Sequence, residues 1–398
     1  MTDKFFEKDA AITGVGQSEI GRPSNKTPIR LSVEAALAAI TDAGLTREDI
    51  DGITCWPGDH ATGDSFSPVG TQELLTALGL KVSWYGGGYE GPGPLGALFS
   101  AAMAVSTGMC RHVLVYRTIT EASARSKLKN ATVAANKVGT RDDRFQWRWQ
   151  TPFLLNTVVN SIAMFATRHF HDYGTTSEQM AQIAITCRNN AALNPKALFR
   201  TPLTLDDYMN SRVISTPLRL YDCDVHCDAS TALIVSRRDA AKDLRNPPIR
   251  IEAVGSSLHQ PWAWDQVSTT AMNTADPGKM MWSRTDLKPK DVDTAQLYDG
   301  FTILTMMWLE GLGLCKTGEV GPFIEDGKAI ALNGVLPINT NGGQLSEGRT
   351  HGLGYAHEAC LQLWGRGGER QIKTKPPKVA AVAAGGGPLG SCMLLVRD

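Results

Sequence analysis

Leu287-Lys-Pro-Lys-Asp-Val-Asp-Thr-Ala-Gln-Leu-Tyr298 restates Leu45-Thr-Arg-Glu-Asp-Ile-Asp-Gly-Ile-Thr-Cys-Trp56. In each, a leucine, two or three polar residues and an Asp-aliphatic-Asp triplet precede a short run that ends in an aromatic. The surroundings echo as well. Ala10-Ala-Ile-Thr-Gly-Val-Gly16 and Ile249-Arg-Ile-Glu-Ala-Val-Gly255 are apolar runs that close on Val-Gly. Such runs, stopped by glycine, read as buried strands. Self-similarity over this length is the mark of a duplicated fold.

Between these anchors, strand and helix patterns alternate. Ser32 to Gly44 reads as an amphipathic helix, with Ser32 as N-cap and Gly44 as its stop. A strand ending near Trp56, a helix from Gly70 to Leu78 and a glycine-rich turn, Tyr85 to Gly93, come next. An apolar helix from about Leu95 to Thr107 and the strand His112-Val-Leu-Val-Tyr116 follow. This order predicts a layered α/β protein with a largely parallel sheet. The first half is expected over 1–117, continued by about 157–240, and the second over 245–398. Residues 118–156, mixed in character and locally basic, form an inserted loop segment.

The second half carries the densest polar stretch, Asn339-Thr-Asn-Gly-Gly-Gln-Leu-Ser-Glu-Gly-Arg-Thr-His-Gly-Leu-Gly-Tyr355. Its five glycines permit tight turns and close approach to a ligand, and a helical pattern begins just after it. With Tyr298-Asp-Gly-Phe301 and Gly385-Gly-Gly-Pro-Leu-Gly390 it makes three strand-ending turns rich in polar groups. Tyrosine is a poor base at its ordinary pKa of about 10, so Tyr298 and Tyr355 need a desolvated, donor-rich site to do acid–base work. Together with His351 and exposed backbone donors they suit a reaction that creates an enolate or oxyanion.

Composition excludes other classes. Forty basic residues balance forty acidic ones, which gives nucleic acid no field to follow, although aromatic and basic residues interleave in Thr140–Trp149. The eight cysteines include no CxxC pair, so they read as reduced thiols of a cytoplasmic protein. Cys223, His226 and Cys227 lack the spacing of a structural zinc site, so no metal is expected. There is no signal-peptide pattern at the start and no run of about 20 apolar residues to span a membrane.

These residues resemble the thiolase superfamily, in particular its lipid-transfer-protein-like branch. The resemblance rests on Ile12-Thr-Gly-Val-Gly-Gln-Ser-Glu19, Arg168 to Gln179 with Asn190-Ala-Ala-Leu-Asn-Pro195, Tyr298-Asp-Gly-Phe301, Asn339-Thr-Asn-Gly-Gly343 and Gly385-Gly-Gly387. It implies a duplicated five-layer αβαβα fold with an inserted loop domain, normally a homodimer. The position of the family's nucleophilic cysteine falls in Gly88–Gly93, which has none, and that of its second cysteine corresponds to Ala383. The pattern is similar to cysteine-less aldolases of steroid side-chain degradation, which cleave a β-hydroxyacyl-CoA by retro-aldol reaction with two tyrosines. That similarity implies Tyr298, Tyr355 and His351 as catalytic residues. Asn341, Gly342, Gly343, Gly386 and Gly387 would bind the CoA thioester, with no further cofactor. It also implies a complex with a small OB-fold, zinc-ribbon protein that helps bind the acyl-CoA, and Arg125–Arg148 as a grip for CoA phosphates. The alternatives are a thiolase-like condensation or transfer enzyme, and a non-catalytic acyl-CoA or sterol carrier or scaffold subunit.

Overall fold

The computed structural model describes residues 5–58, 65–88, 93, 95–130, 151–153, 155, 157–258 and 273–397. The chain opens with strand β1 (Ala10–Gln17), helix α1 (Pro28–Ala43), β2 (Gly52–Cys55), α2 (Thr71–Leu78), β3 (Trp84–Gly87), α3 (Gly96–Ser106) and β4 (His112–Thr120). Helices α4 (Glu121–Asn130), α5 (Val158–Tyr173) and α6 (Ser177–Ala192) follow, then the small hairpin β5 (Val213–Ser215) and β6 (Leu218–Arg219), and β7 (Asp228–Arg237). The second half runs β8 (Ile249–Leu258), α7 (Ala275–Trp282), β9 (Thr294–Leu297), α8 (Thr302–Gly311), α9 (Gly352–Leu363), β10 (Val379–Gly385) and β11 (Leu389–Arg397).

Nine strands join in the order β3-β2-β4-β7-β1-β8-β11-β10-β9. The duplication is plain in this order, because β2-β4-β7-β1 corresponds to β9-β10-β11-β8. Ile338, in a parallel bridge to Ala295, takes the place of β3. The halves meet where β1 and β8 pair, Ala11 with Arg250 and Ile12 with Ile249. The sheet is mixed, which corrects the expectation of a largely parallel one. Strand β7 is antiparallel to both β4 and β1, and β11 to both β10 and β8. Both intruding strands are almost wholly buried, so neither shows the polar alternation that reveals a strand in sequence.

Core packing gives the layers. On one outer face, Ala35, Ala36, Ala39 and Ile40 of α1 and Leu74 and Leu78 of α2 cover Leu114, Tyr116, Ala232 and Ile234. On the other, α6 and α8 cover Ala381, Ala383, Cys392 and Leu394. Helices α3 and α9 lie between, packed against Val113, Val115, Leu233 and Val235 of one half and Ala380, Val382, Met393 and Leu395 of the other. The order is therefore αβαβα, and α9 is shared by both halves. Helix α3, sandwiched in this way, loses its polar face, which is why Gly96–Ser106 reads as almost uniformly apolar; α8 lies in the outer layer but is buried from Thr302 to Glu310 and reads much the same.

The repeated Val-Gly has a packing cause. A Cβ on Gly16 would sit 2.2 Å from the Ala35 carbonyl oxygen of α1, and one on Gly255 would sit 1.9 Å from the Pro277 oxygen of α7. Each half presses its helix onto a bare strand. At α1 the expected cap is wrong by one turn. Thr27 caps the helix by accepting from Arg30 N, while Ser32 is buried inside it, hydrogen-bonded to Pro28 O and Thr118 Oγ1. Gly44 does end the helix, in the left-handed conformation with φ 76°. In the inserted segment, 118–120 complete β4 and α4 follows; residues 131–150, and with them most of the basic stretch, lie outside the described residues.

Candidate active site

The site is built at the C-terminal end of β9. Asn339 reaches back to that strand's last residue, accepting from Leu297 N (2.7 Å) and donating to Leu297 O (2.9 Å). A side-chain amide thus does for β9 what a neighbouring strand would do. The chain is released at Tyr298 into the Tyr-Asp-Gly-Phe turn, with Asp299 directed inward and fully buried.

Asp299 is the hub. Its carboxylate accepts from Gln344 N (2.8 Å), Leu345 N (3.4 Å) and the Cys187 thiol (3.4 Å), and from the hydroxyl of Tyr355. Its own N–H donates back to the Tyr355 oxygen at 3.0 Å. The approach requires glycine at 343, where φ is 58° and a Cβ would fall 1.9 Å from Asp299 Oδ2. Burial pushes the Asp299 carboxyl above its ordinary range against the pull of these donors. Burial, then the Asp299 charge, hold the Tyr355 phenol well above 10.

Tyr298 lies beside this pair, its ring centroid 6.3 Å from that of Tyr355 at an interplanar angle of 64°. It is less covered than Tyr355, which is 2 % exposed. Burial and the Asp224 charge raise its phenol, opposed by Arg349 and the Gln344 side chain. Both tyrosines are therefore neutral phenols at neutral pH.

His351 starts α9 from a conformation unusual for a residue with a side chain, φ 56°. Gln344 Oε1 accepts its backbone N–H at 3.2 Å. Arg117 Nη2 lies 3.3 Å from His351 Nδ1. Burial, followed by the Arg117 and Arg349 charges, holds this imidazole well below its ordinary pKa, so it is neutral. A guanidinium can only donate, so Nδ1 accepts and the ring proton sits on Nε2. His351 thus presents an N–H donor.

Arg117 is itself buried, 4.4 Å over the Phe66 ring and 5.4 Å from that of Trp56. Burial brings its guanidinium down to about 9, leaving it charged at neutral pH. Arg349 pairs with Glu121 at the start of α4 and with Asp224 (3.4 Å). Burial opposes its charge, but Asp224 and Glu121 more than restore it. Asp224 is raised to about 6 by burial despite Arg349. The segment that carries it is laced into the site, with Asp224 N to Gly300 O at 3.2 Å and Val225 N to Gln344 O at 3.0 Å. Burial takes the neighbouring His226 down to about 3.

The residues expected from sequence are placed in three groups. Tyr298, Tyr355 and His351 come together. Asn341, Gly342 and Gly343 form the frame behind Asp299: Asn341 donates to the buried Glu347 and accepts from Gly343 N, while Gly342 lies against Ala191. Gly386 and Gly387 turn the β10–β11 hairpin, where Gly386 N bonds Leu389 O and Gly386 O accepts from Asn273 N. Arg117, Asp299, Gln344 and Asp224 were missed as site residues. The signal for Arg117 was a cation continuing the apolar strand His112–Tyr116; Asp299 was quoted only as part of its turn. Among the described residues no group of three or more His, Cys, Asp or Glu side chains converges as a metal would need. No described helix is long and apolar enough to cross a membrane.

Comparison with known proteins settles the family. The chain is 38 % identical over 363 residues to a steroid side-chain-cleaving aldolase of Thermomonospora curvata, covering 89 % of this chain and 90 % of that one. It belongs to the aldolase branch of the thiolase superfamily. This aldolase is also 37 % identical over 369 residues to the 17-hydroxy-3-oxo-4-pregnene-20-carboxyl-CoA lyase of Mycobacterium tuberculosis, covering 89 % and 92 %. Its structure superposes on that of an Ltp2-ChsH2(DUF35) aldolase with a TM-score of 0.85, at 34 % identity and 98 % coverage of both chains. Residues 256–397 match the family described as thiolase C-terminal domain-like. The protein is thus a carbon–carbon lyase on the duplicated thiolase fold.

Proposed function

We propose that this aldolase cleaves a CoA thioester whose β-carbon carries a hydroxyl on a steroid ring or side chain, releasing a ketone or aldehyde and a short acyl-CoA. The observation that carries the reading is the pairing of Tyr298 with Tyr355 beside a neutral His351. One tyrosine removes the hydroxyl proton as the Cα–Cβ bond breaks, and the bonding electrons pass into the thioester carbonyl. The enolate oxygen is met by His351 Nε2–H with Arg117 behind it, donors of a kind worth about 2.7–4 kcal/mol each in related chemistry. The other tyrosine delivers a proton to Cα.

The thiols support a route without an acyl-enzyme. None of the eight cysteines is in a disulfide, and burial raises the thiols of seven of them, Cys110, Cys187, Cys223, Cys227, Cys315, Cys360 and Cys392. A nucleophilic cysteine has the opposite shift. Ala383, paired with Leu297 and Cys392 inside the sheet, offers no thiol where the family has its second cysteine. Free thiols also suit a cytoplasmic protein. The outer edge of β3, which no strand pairs among the described residues and where Tyr85 is 73 % exposed, suits a homodimer. The substrate named for one relative and the DUF35 protein named in another's structure suggest a steroid-acyl-CoA and an acyl-CoA-binding partner of OB-fold and zinc-ribbon type.

The test is to co-express the aldolase with such a partner, supply a 17-hydroxy-20-carboxyl-CoA steroid, and follow products by mass spectrometry. A 17-ketone with an equimolar short acyl-CoA is expected. Binding of the thioester by the complex without cleavage would identify a carrier instead, and acetoacetyl-CoA cleavage a thiolase-type enzyme.

A further inference from the structure

The retro-aldol reading leaves the base undefined, because both phenols are neutral and raised. A neutral phenol accepts a substrate proton only if its own proton can leave at the same time. Tyr355 has a route for that. Its O–H points at Asp299, while its oxygen accepts from Asp299 N at 3.0 Å. One lone pair remains for a substrate hydroxyl. Tyr298 donates to no carboxylate among the described residues; Asp224, the acid whose charge acts on it most, is held by Arg349.

We infer that Asp299 receives the proton of the reaction through Tyr355, so that Tyr355 is the base arm and Tyr298 the acid arm. The substrate O–H proton passes to Tyr355 Oη while the Tyr355 proton passes to Asp299 Oδ1. The Cα–Cβ pair becomes the enolate, and Tyr298 Oη–H protonates Cα. The Asp299 proton returns to Tyr355 as the proton taken from the substrate passes on from Tyr355 through solvent to the Tyr298 phenolate, so no net proton is taken up and the site is restored. Asp299 touches no substrate and is a positioning and proton-holding residue.

The surroundings of Asp299 fit this role. Its own turn supplies Tyr298, α9 supplies Tyr355, α6 supplies the raised thiol of Cys187, and the segment before β7 supplies Asp224. No cation bonds its carboxylate among the described residues; its stabilising partners are backbone N–H groups and neutral donors. A carboxylate raised by burial and kept from ion pairing accepts a proton far more readily than a paired one.

The inference rests on the activity proposed above, so wild-type cleavage is measured first; absence of cleavage sinks that reading and the relay with it, whereas the variants below overturn the relay alone. With activity in hand, Asp299→Asn is compared with wild type in the complex. The amide oxygen keeps the Tyr355 and Gln344 bonds, while its nitrogen faces Cys187 and loses the long bond from Leu345 N. A fall in kcat of about a hundredfold is expected with KM changed less than about threefold, and the acid limb of the kcat–pH profile should vanish. The Asp299→Asn/Tyr355→Phe double variant should be no slower than the slower single one. Retention of the wild-type pH profile with kcat within about threefold would overturn the relay, as would loss of the acid limb in Asp224→Asn but not in Asp299→Asn. If Asp299→Asn does not fold, single-turnover rates of wild type in H2O–D2O mixtures decide. A curved dependence marks two protons in flight and supports the relay; a straight line refutes it.

Discussion

Leu297 and Asn339 are joined twice, the N–H of Leu297 to Oδ1 at 2.7 Å and Nδ2 to the Leu297 carbonyl at 2.9 Å. Asn339 is completely buried, with φ 43°, a left-handed conformation that asparagine tolerates better than most residues. The bracket sits one residue before Tyr298, so it sets where the Tyr-Asp-Gly-Phe turn begins. Asn339→Asp keeps the first bond and turns the second into two oxygens facing each other in a dry site. Loss of a buried bond with its partner left unpaired costs about 1–3 kcal/mol. Urea denaturation should show a loss of that order, with turnover falling as Tyr298 drifts. Unchanged stability would mean that strand β9 ends where it does without help.

Arg117 supplies the positive field behind His351, and its position between aromatic faces depends on a flat guanidinium. Arg117→Lys preserves charge but loses the stacking over Phe66 and the fixed donor to Nδ1. The His351 ring is then free to carry its proton on Nδ1, which removes the Nε2–H donor. A drop in kcat of about a hundredfold is expected, the scale of one lost oxyanion donor. KM should move little, and steady-state kinetics separate the two effects. A kcat close to wild type would show that charge alone suffices.

Much of this was legible from the chain because repetition leaves a trace. The Asp-aliphatic-Asp triplets of residues 49–51 and 291–293 do begin equivalent strands, and the Val-Gly endings mark where a helix crosses bare backbone. What sequence hid was whatever lost its polar face through burial on both sides. β7 and β11 show no alternation, so the one antiparallel strand in each half went unseen and the sheet was read as largely parallel. Ser32 looks like a cap only until its hydroxyl is found bonded to Thr118 of another strand. At the site, Tyr298, Tyr355 and His351 stood out because they lie on glycine-bearing turns and fit the two-tyrosine pattern of the aldolases that the chain resembles. Asp299 did not, because its importance comes from four donors that lie far from it in the chain.

Gly343 separates collision from conformational strain. Its φ of 58° is matched by Gly79 at 67°, but Gly79 has nothing within 4 Å of a Cβ, whereas Gly343 has Asp299 Oδ2 at 1.9 Å. Gly79→Ala should cost only the strain of the left-handed conformation, about 1–2 kcal/mol. Gly343→Ala should cost more than that and abolish turnover, because Asp299 must leave its cradle of N–H donors. Thermal melts of both variants beside activity assays test the difference. Equal stabilities with retained activity in Gly343→Ala would show that the cradle can relax.

Glu347 gives the loop a pH dependence that can be read without any substrate. It is buried, accepts from Asn194 and Asn341, and lies close enough to Glu358 to feel its charge. Burial, then Glu358, raise its carboxyl to about 8, well above the unfolded value near 4.5. A carboxyl raised on folding contributes stability that is fully present below pH 4.5 and is lost as pH climbs through about 8. Glu347→Gln removes this titration while keeping the size of the side chain. The melting temperature of wild type relative to Glu347→Gln should therefore be highest near pH 5 and decline steadily to pH 9, where the charged carboxylate is fully formed beside Glu358. A difference that stays constant across that range would mean that Lys196 and Arg370, which pull Glu347 the other way, keep it ionised throughout.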